Sequence, residues 1–597
     1  MILQALYQYQ KRQEALGRGQ KPGCAEEELK FLIEIAEDGT FLQLRDLREK
    51  KKGKTYTLPQ AEIRSGKKSY EKPCLLWDSI DFVLGHPKSS SQTDRETAEN
   101  KLKYFTARVF KTAEQMKGLA TAKALEAVVA FYKRGEKERV VDDPLWKECS
   151  SVPGCKMSFC VAGDPRPVAA LEDVLDLAGQ KKEVGDVPLG RCLITGEKAP
   201  LAVLHPQTPI PGGQATGKLI GFQKNSGYDS YYKEQGLNAP VSQTAAFEYG
   251  TALNTLIKSK TNSFYLAGDT YVFWALPPDQ QEKPAVHEQN NFETLLLGAM
   301  VGLGQKDDPN EGTEKVRVFF DNLRQGKDFT AEKGSFYLLG LSPNSARIAV
   351  RLWKTGTIGE FKQNLSLHLN DCDNIGYNKQ HKSFPLVQYL RSITLDGRLD
   401  KLPPSLAGTL LESVISGAPY PMTLYQRVIG RIRAERRVRD EWACLIKGSL
   451  IRWGRKNLYG LGKENFGVIY DPKINNQGYV LGSLFAVLEK IQTDAMPGIN
   501  TTIGDRFYGA ASSTPAVVFP HLLRMKRYHM KSLNVGAQVS YDKLIQAILS
   551  DFGERFPVHL DVIQQGAFAL GYYHQRQKLY TKKDTTDETA PMGNKEN

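Results

Sequence analysis

Val480-Leu-Gly-Ser-Leu-Phe-Ala-Val-Leu-Glu-Lys-Ile491 is the stretch whose pattern decides the fold. Val480, Leu484, Val487, Leu488 and Ile491 recur at the three- and four-residue steps of one helix face. The pattern returns at Leu410, Leu411, Val414 and Ile415, and again at Leu544, Ile545, Ala547 and Ile548, with Gly and Pro between. From about Pro403-Pro404 to residue 576 the chain therefore reads as an α-helical bundle. Working upstream, the period changes. Phe264-Tyr-Leu-Ala and Tyr271-Val-Phe-Trp-Ala flank Gly268-Asp269 as strands flank a turn. Val316-Arg-Val-Phe-Phe, Ser335-Phe-Tyr-Leu-Leu-Gly-Leu and Arg347-Ile-Ala-Val-Arg-Leu-Trp form a second strand group, charged and apolar by turns as in a half-exposed antiparallel sheet. At the start, residues 2–12 carry a helical pattern, and Phe31-Leu-Ile-Glu-Ile meets Phe41-Leu-Gln-Leu across Asp38-Gly39. Residues 94–134 read as long helix, and 150–215 as short strands and turns.

The expected class is α+β: a mixed α/β N-terminal region with antiparallel sheet, followed by a C-terminal α-helical bundle. We expect an N-terminal region over 1–400, divisible into lobes 1–190 and 191–400, then a basic bundle over 401–580. Residues 581–597 are polar and read as a disordered tail.

A chain of 597 residues needs several packing units. Its 80 Lys and Arg exceed 67 Asp and Glu by +13, which favours a polyanionic partner. No run approaches the roughly 18 apolar residues of a spanning helix, and Lys11 and Arg12 follow the first turns with no signal-peptide core. A cytoplasmic protein with no membrane partner is expected. Cys149, Cys155 and Cys160 lack zinc-knuckle spacing, so they are read as buried thiols, with no metal and no cofactor.

Between 424 and 456 ten cations face three acids, a local excess of +7. The cations are Arg427, Arg431, Arg433, Arg436, Arg437, Arg439, Lys447, Arg452, Arg455 and Lys456, with Trp442 and Trp453 among them. Three acids cannot pair ten cations, so a surface that tracks phosphates and stacks bases is favoured over a solvated, salt-bridged one. Arg524, Lys526, Arg527 and Lys531 add a second patch with no acid between 521 and 531. Lys50, Lys51, Lys52, Lys54, Lys67 and Lys68 lie in a basic stretch over 44–72 where glycine beside lysine suits close approach to phosphate, though a solvated loop fits equally.

Pro211-Gly-Gly-Gln-Ala-Thr-Gly-Lys218 contains GxxxxGK, but Leu219 stands where a phosphate loop needs Ser or Thr. A glycine-rich loop presenting Gln, Lys, Asn and Tyr to a polyanion, or a plain surface loop, remains. Asp371 and Asp373 near His368 and His381 offer carboxylates for a hard cation, although a polar turn is commoner. No nucleophile or metalloprotease motif occurs, so the residues read as a non-enzymatic nucleic-acid binder.

Six separated stretches carry a resemblance: Cys74-Leu-Leu-Trp-Asp-Ser-Ile-Asp-Phe-Val-Leu-Gly85; Cys192-Leu-Ile-Thr-Gly-Glu197 with Leu204-His-Pro206; Tyr231-Tyr-Lys-Glu-Gln-Gly-Leu-Asn-Ala-Pro-Val-Ser242; Ala346-Arg-Ile-Ala-Val-Arg-Leu-Trp353; Ser416-Gly-Ala-Pro-Tyr-Pro421; and Asp505-Arg-Phe-Tyr-Gly509. In this order they resemble the large subunit of the type I-C CRISPR Cascade complex, the Csd family, over about residues 1–575. The resemblance implies a subunit that reads a short PAM in double-stranded target DNA, promotes R-loop opening, holds the displaced single strand and recruits a helicase-nuclease. It implies crRNA-containing Cascade backbone subunits as partners, and a small subunit made separately from the C-terminal region, with Met422 and Met496 as candidate starts.

Base reading is assigned to segment 212–238. Gln214, Gln223 and Asn225 carry amides suited to adenine edges, and Lys218 and Lys224 suit guanine or phosphate. Thr216 joins them, with Tyr228 and Tyr231 as supports or wedges. Turn-capping amides and packed tyrosines are the alternative. The family's usual Ser-Phe-Asn is here Gly221-Phe222-Gln223, so the assignment is to a segment. The competing readings are a stand-alone metal- or ATP-dependent nucleic-acid enzyme using Asp371 and Asp373 or loop 212–218, and a scaffold with no DNA contact.

Overall fold

The computed structural model describes residues 1–581 except 18, 20, 22, 50–51, 62–63, 65–68, 153, 180–187, 223–232, 260, 277–333, 346, 377–379, 404, 463–465, 551 and 554. The chain forms two compact units, Met1–Thr208 with Lys218–Thr255 and Pro209–Gly217 with Leu256–Asn597.

The first unit is built on a four-stranded sheet ordered Phe41–Asp46, Phe31–Ile35, Lys156–Val161, Trp77–Ser79. Its outer pairs are antiparallel, and its central pair is parallel with Phe31 opposite Met157. Buried Phe31, Leu32, Ile33 and Ile35 explain why the middle strand is almost wholly apolar. Gly39 makes the hairpin with φ 86, and a side chain there would stand 2.6 Å from the Phe131 amide nitrogen. The helical run expected over 94–134 is two helices, Gln92–Gln115 and Ala122–Lys133, because Gly118 at φ 85 turns the chain between them. Leu125, Val128 and Phe131 of the second bury against the sheet core. A two-stranded ribbon pairs Cys24–Leu29 with Lys54–Pro59.

The second unit opens with an antiparallel sheet ordered Arg347–Thr357, Ser335–Asn344, Asp269–Leu276, Ser263–Leu266. Its hairpin turns on Ala267 and Gly268, at φ 51 and 99, one residue earlier than the sequence suggests. Two positive φ values match the right-handed twist of the paired strands. The strand expected over 316–320 and the tail from 582 lie outside the described residues. The helices follow, and one hydrophobic core runs without a break from Phe264 in the sheet to Tyr573 near the end of the helical region.

Two helices form the axis of that region. Gln477–Ala495 starts where Asn476 accepts the Tyr479 amide, and Val562–Tyr580 starts where Asp561 accepts the Gln564 amide. They meet backbone to backbone. A Cβ on Gly482 would lie 1.9 Å from the Phe568 carbonyl oxygen, and one on Gly571 would lie 2.0 Å from that of Tyr479. Only glycine permits this approach. No helix among the described residues is long and apolar enough to cross a membrane.

Candidate nucleic-acid interface

Helix Met422–Glu435 buries Leu424, Tyr425, Val428, Ile429 and Ile432, so its polar positions must face out. Arg427 and Arg433 are exposed there, and Arg433 Nη2 donates to Gln565 Oε1 at 2.6 Å. Arg431 is half-buried and pairs with Glu435. Glu435 also accepts two hydrogen bonds from Arg439, at 2.9 and 2.5 Å. The helix ends at Arg436 in the left-handed region, φ 53, where Nη1 donates to the Asp505 carbonyl at 2.7 Å. Arg437 is exposed and makes no ion pair among the described residues.

The next helix, Asp440–Arg455, uses its cations in the opposite way. Arg452 is 1% exposed. Its Nε meets Asp371 Oδ2 at 2.9 Å, and Nη1 donates to the carbonyls of Ser413 and Ala418, both at 2.8 Å. Arg455 holds the other oxygen of Asp371 at 2.6 Å. Lys447 is buried with Nζ on the carbonyls of Asn370 and Asp373, and burial pulls its pKa down. Trp442 and Trp453 are fully buried and donate their indole N–H groups to Ser392 and Tyr420 carbonyls. The expectation that Arg452 touches phosphate is therefore corrected, as is the one that these tryptophans stack bases. The partner that claims Arg452 lies 81 positions away, where no local charge count finds it.

That partner also redirects the carboxylates near His368. Asp371 is taken by arginines, whereas Asp373 Oδ2 lies 2.6 Å from His381 Nδ1. His368 faces Tyr420, and burial, followed by the Arg452 charge, pushes its pKa down to about 3. Among the described residues no three His, Cys, Asp or Glu side chains gather as a metal site.

The second patch lies on helix Pro515–Met530. Arg524 and Arg527 are exposed, as is Lys531 just beyond, while Lys526 is half-buried and pairs with Asp542 at 2.5 Å. Helix Ile503–Ala511 links the two patches. Thr502 and Asp505 close a capping box at its start, the Asp505 carbonyl receives Arg436, and Arg506 is exposed beside it. Phe507 then meets His521 of the second patch with ring centroids 5.6 Å apart. Charges separated by about ninety residues in sequence thus form one track. Arg506 and Tyr528 were not singled out from sequence. Tyr528 was findable as the aromatic inside the acid-free run 521–531.

In the glycine-rich loop, Gln214 and Thr216 are exposed around a tight turn in which the Gly217 amide donates to the Gln214 carbonyl at 2.9 Å. Gly212 sits at φ 76, a position for which glycine is suited. Lys218 pairs with Gln207 as an isolated bridge, and its half-burial lowers its pKa. Burial and then the Lys218 charge push His205 down to about 4. Gln223, Lys224, Asn225, Tyr228 and Tyr231 lie outside the described residues.

Of the N-terminal basic residues, Lys50, Lys51, Lys67 and Lys68 also lie outside them. Lys52 and Lys54 are exposed, and Lys52 exchanges backbone hydrogen bonds with Glu49. Gly53 has a packing reason to be glycine: a Cβ there would stand 2.2 Å from the Leu29 carbonyl oxygen. All eight cysteines are buried free thiols, with Cys149 and Cys155 Sγ atoms 3.8 Å apart.

The family model for CRISPR-associated protein (Cas_Csd1) matches residues 6–580. The chain belongs to the Cas_Csd1 family of CRISPR-associated proteins. No curated protein matches it.

Proposed function

We propose that this chain is the non-catalytic, DNA-binding large subunit of a crRNA-guided type I-C Cascade surveillance complex acting in the cytoplasm. In this reading it recognises the PAM in duplex DNA, promotes R-loop opening, holds the displaced strand and recruits the helicase-nuclease. Its partners are the crRNA-bearing backbone subunits and a small subunit made from its own C-terminal region. The observation that carries the reading is the exposed cationic track from Arg427 and Arg433 through Arg436, Arg437 and Arg506 to Arg524 and Arg527, in a CRISPR-associated family member. A line of exposed arginines can meet phosphates whatever the bases, which suits a strand whose sequence is read elsewhere, by pairing with a guide.

The test is the salt dependence of single-strand binding. Replacing Arg427, Arg433, Arg436 and Arg437 together by Ala should weaken all sequences alike and flatten the slope by about 0.7 for each phosphate no longer neutralised. An unchanged slope overturns direct phosphate contact by these four. PAM reading is proposed for segment 212–238 and tested in the assembled complex with Gln214→Ala, Gln223→Ala and Asn225→Ala. A base-reading amide should lose about 1–3 kcal/mol on a matched PAM and far less on a mutated one, whereas Lys218→Ala should weaken both if it meets phosphate. Full discrimination in all four variants would move the reader elsewhere.

A further inference from the structure

Helix Pro515–Met530 turns Val518, Phe519, Leu522 and Met530 into the core. Val517, His521, Arg524, Tyr528 and Lys531 follow one another at steps of three and four, and all five are exposed. They form one outward stripe. Tyr528 stands in it 73% exposed, the most exposed tyrosine among the described residues. Arg524 lies one turn before it and Lys531 nearly one turn after, with Lys531 Nζ 6.0 Å from the ring centroid. Arg527 is adjacent, and no acid occurs from 521 to 531.

A flat ring flanked on both sides by cations has the chemistry of a single-stranded nucleic-acid site. The ring offers a face to any base, and the cations hold the phosphates on either side. An acidic protein surface would use the cations and could pack on the ring, but only a strand with unpaired bases would make both contacts repeat along its length, and a duplex keeps its bases stacked on one another.

We propose that Tyr528 is a base-stacking platform for single-stranded DNA, with Arg524, Arg527 and Lys531 as its phosphate clamps. It replaces the two tryptophans that the core has claimed. The proposal rests on the strand-holding reading above and adds the residue that grips a base.

The experiment measures affinity of the full chain for an oligothymidylate, an abasic oligomer of equal length and a duplex. Tyr528→Ala should lose about five- to 150-fold on oligothymidylate, the value of one stacked base, and leave the abasic oligomer and the duplex unchanged. Tyr528→Phe should retain wild-type affinity. Photocrosslinking of a 5-iodouracil oligomer should place the adduct on Tyr528 in the wild type. Equal losses on base-bearing and abasic strands, or no loss on either, overturn the stacking. Arg524→Ala with Arg527→Ala should weaken all three ligands. If that pair weakens them while Tyr528→Ala is silent, stacking alone fails; if neither variant has an effect, strand holding by this helix fails with it.

Discussion

Helices Met422–Glu435 and Asp440–Arg455 are adjacent in sequence, similar in length and similarly rich in cations, yet they spend them differently. The first turns Arg427 and Arg433 to water and continues into exposed Arg436 and Arg437. The second draws Arg452 and Lys447 inside, against Asp371 and backbone carbonyls. What separates them is the neighbour each one meets. A helix packed on one side needs only an apolar stripe. A helix that is buried nearly all round must pair every charge it carries. Charge count measures attraction to a polyanion only for residues of the first kind.

The sharpest way to break this contrast is Arg452→Ala, which strands Asp371 with one guanidinium fewer in the core. It should cost about 3–5 kcal/mol in chemical denaturation of the full chain, with the salt slope of DNA binding unchanged in the folded fraction. A strong loss of slope with little loss of stability would invert the assignment. Next in size, Trp453→Phe leaves the Tyr420 carbonyl without its indole donor and should cost about 1–3 kcal/mol, again without effect on oligonucleotide affinity at fixed salt.

Acid should separate the regions by another route. His368 and His574 are buried in the region around Asp440–Arg455, and burial, then the charges of Arg452 and Lys447 respectively, push both down to about 3. Their folded values lie below the unfolded value near 6.5. The stability they contribute is therefore present above pH 6.5 and lost as the pH falls toward 3. The slope should approach about 1.4 kcal/mol per pH unit for each histidine. His574→Gln should remove one share of it in a denaturation series from pH 7 to 4.

The smallest effects belong to the exposed side. Arg427→Ala or Arg437→Ala should change stability by less than about 0.5 kcal/mol. Glu435→Gln should cost about 0.3–0.5 kcal/mol while releasing Arg431 and Arg439, and so should steepen the salt dependence of binding. A flatter dependence in Glu435→Gln would mean that those two arginines do not reach the strand.

The helical half and the two hairpins were legible because they depend on local periodicity and turn residues. Val480 to Ile491 and Asp38-Gly39 announce themselves within a few positions. The break at Gly118 was hidden by good helix formers on both sides of it. The parallel pairing of Phe31–Ile35 with Lys156–Val161 was not legible, since strand partners more than a hundred residues apart leave no local mark. In the candidate site, the cations were legible as composition but their division was not. Asp371 read as part of a polar turn or, less commonly, as a carboxylate for a cation, and only the fold brings Arg452 and Arg455 to it. The joining of the two basic patches through the Asp505 carbonyl was equally out of reach, because a backbone acceptor has no identity in sequence.

The glycine seam between Gln477–Ala495 and Val562–Tyr580 bears on how the chain is made. The earlier helix leaves the ribosome first and must wait for its partner, some 85 residues of synthesis later. At about 5–20 residues per second that interval is roughly 4–17 s. Throughout it Tyr479, Phe485 and Glu489 lack the Val562–Tyr580 helix whose His574, Phe568 and Tyr572 they meet, and Gly482 weakens the isolated helix that carries them. For that interval the nascent chain carries surface that the finished fold buries, and such surface favours aggregation. Slowing translation between 495 and 562 would lengthen that exposure without altering a single residue of the finished protein.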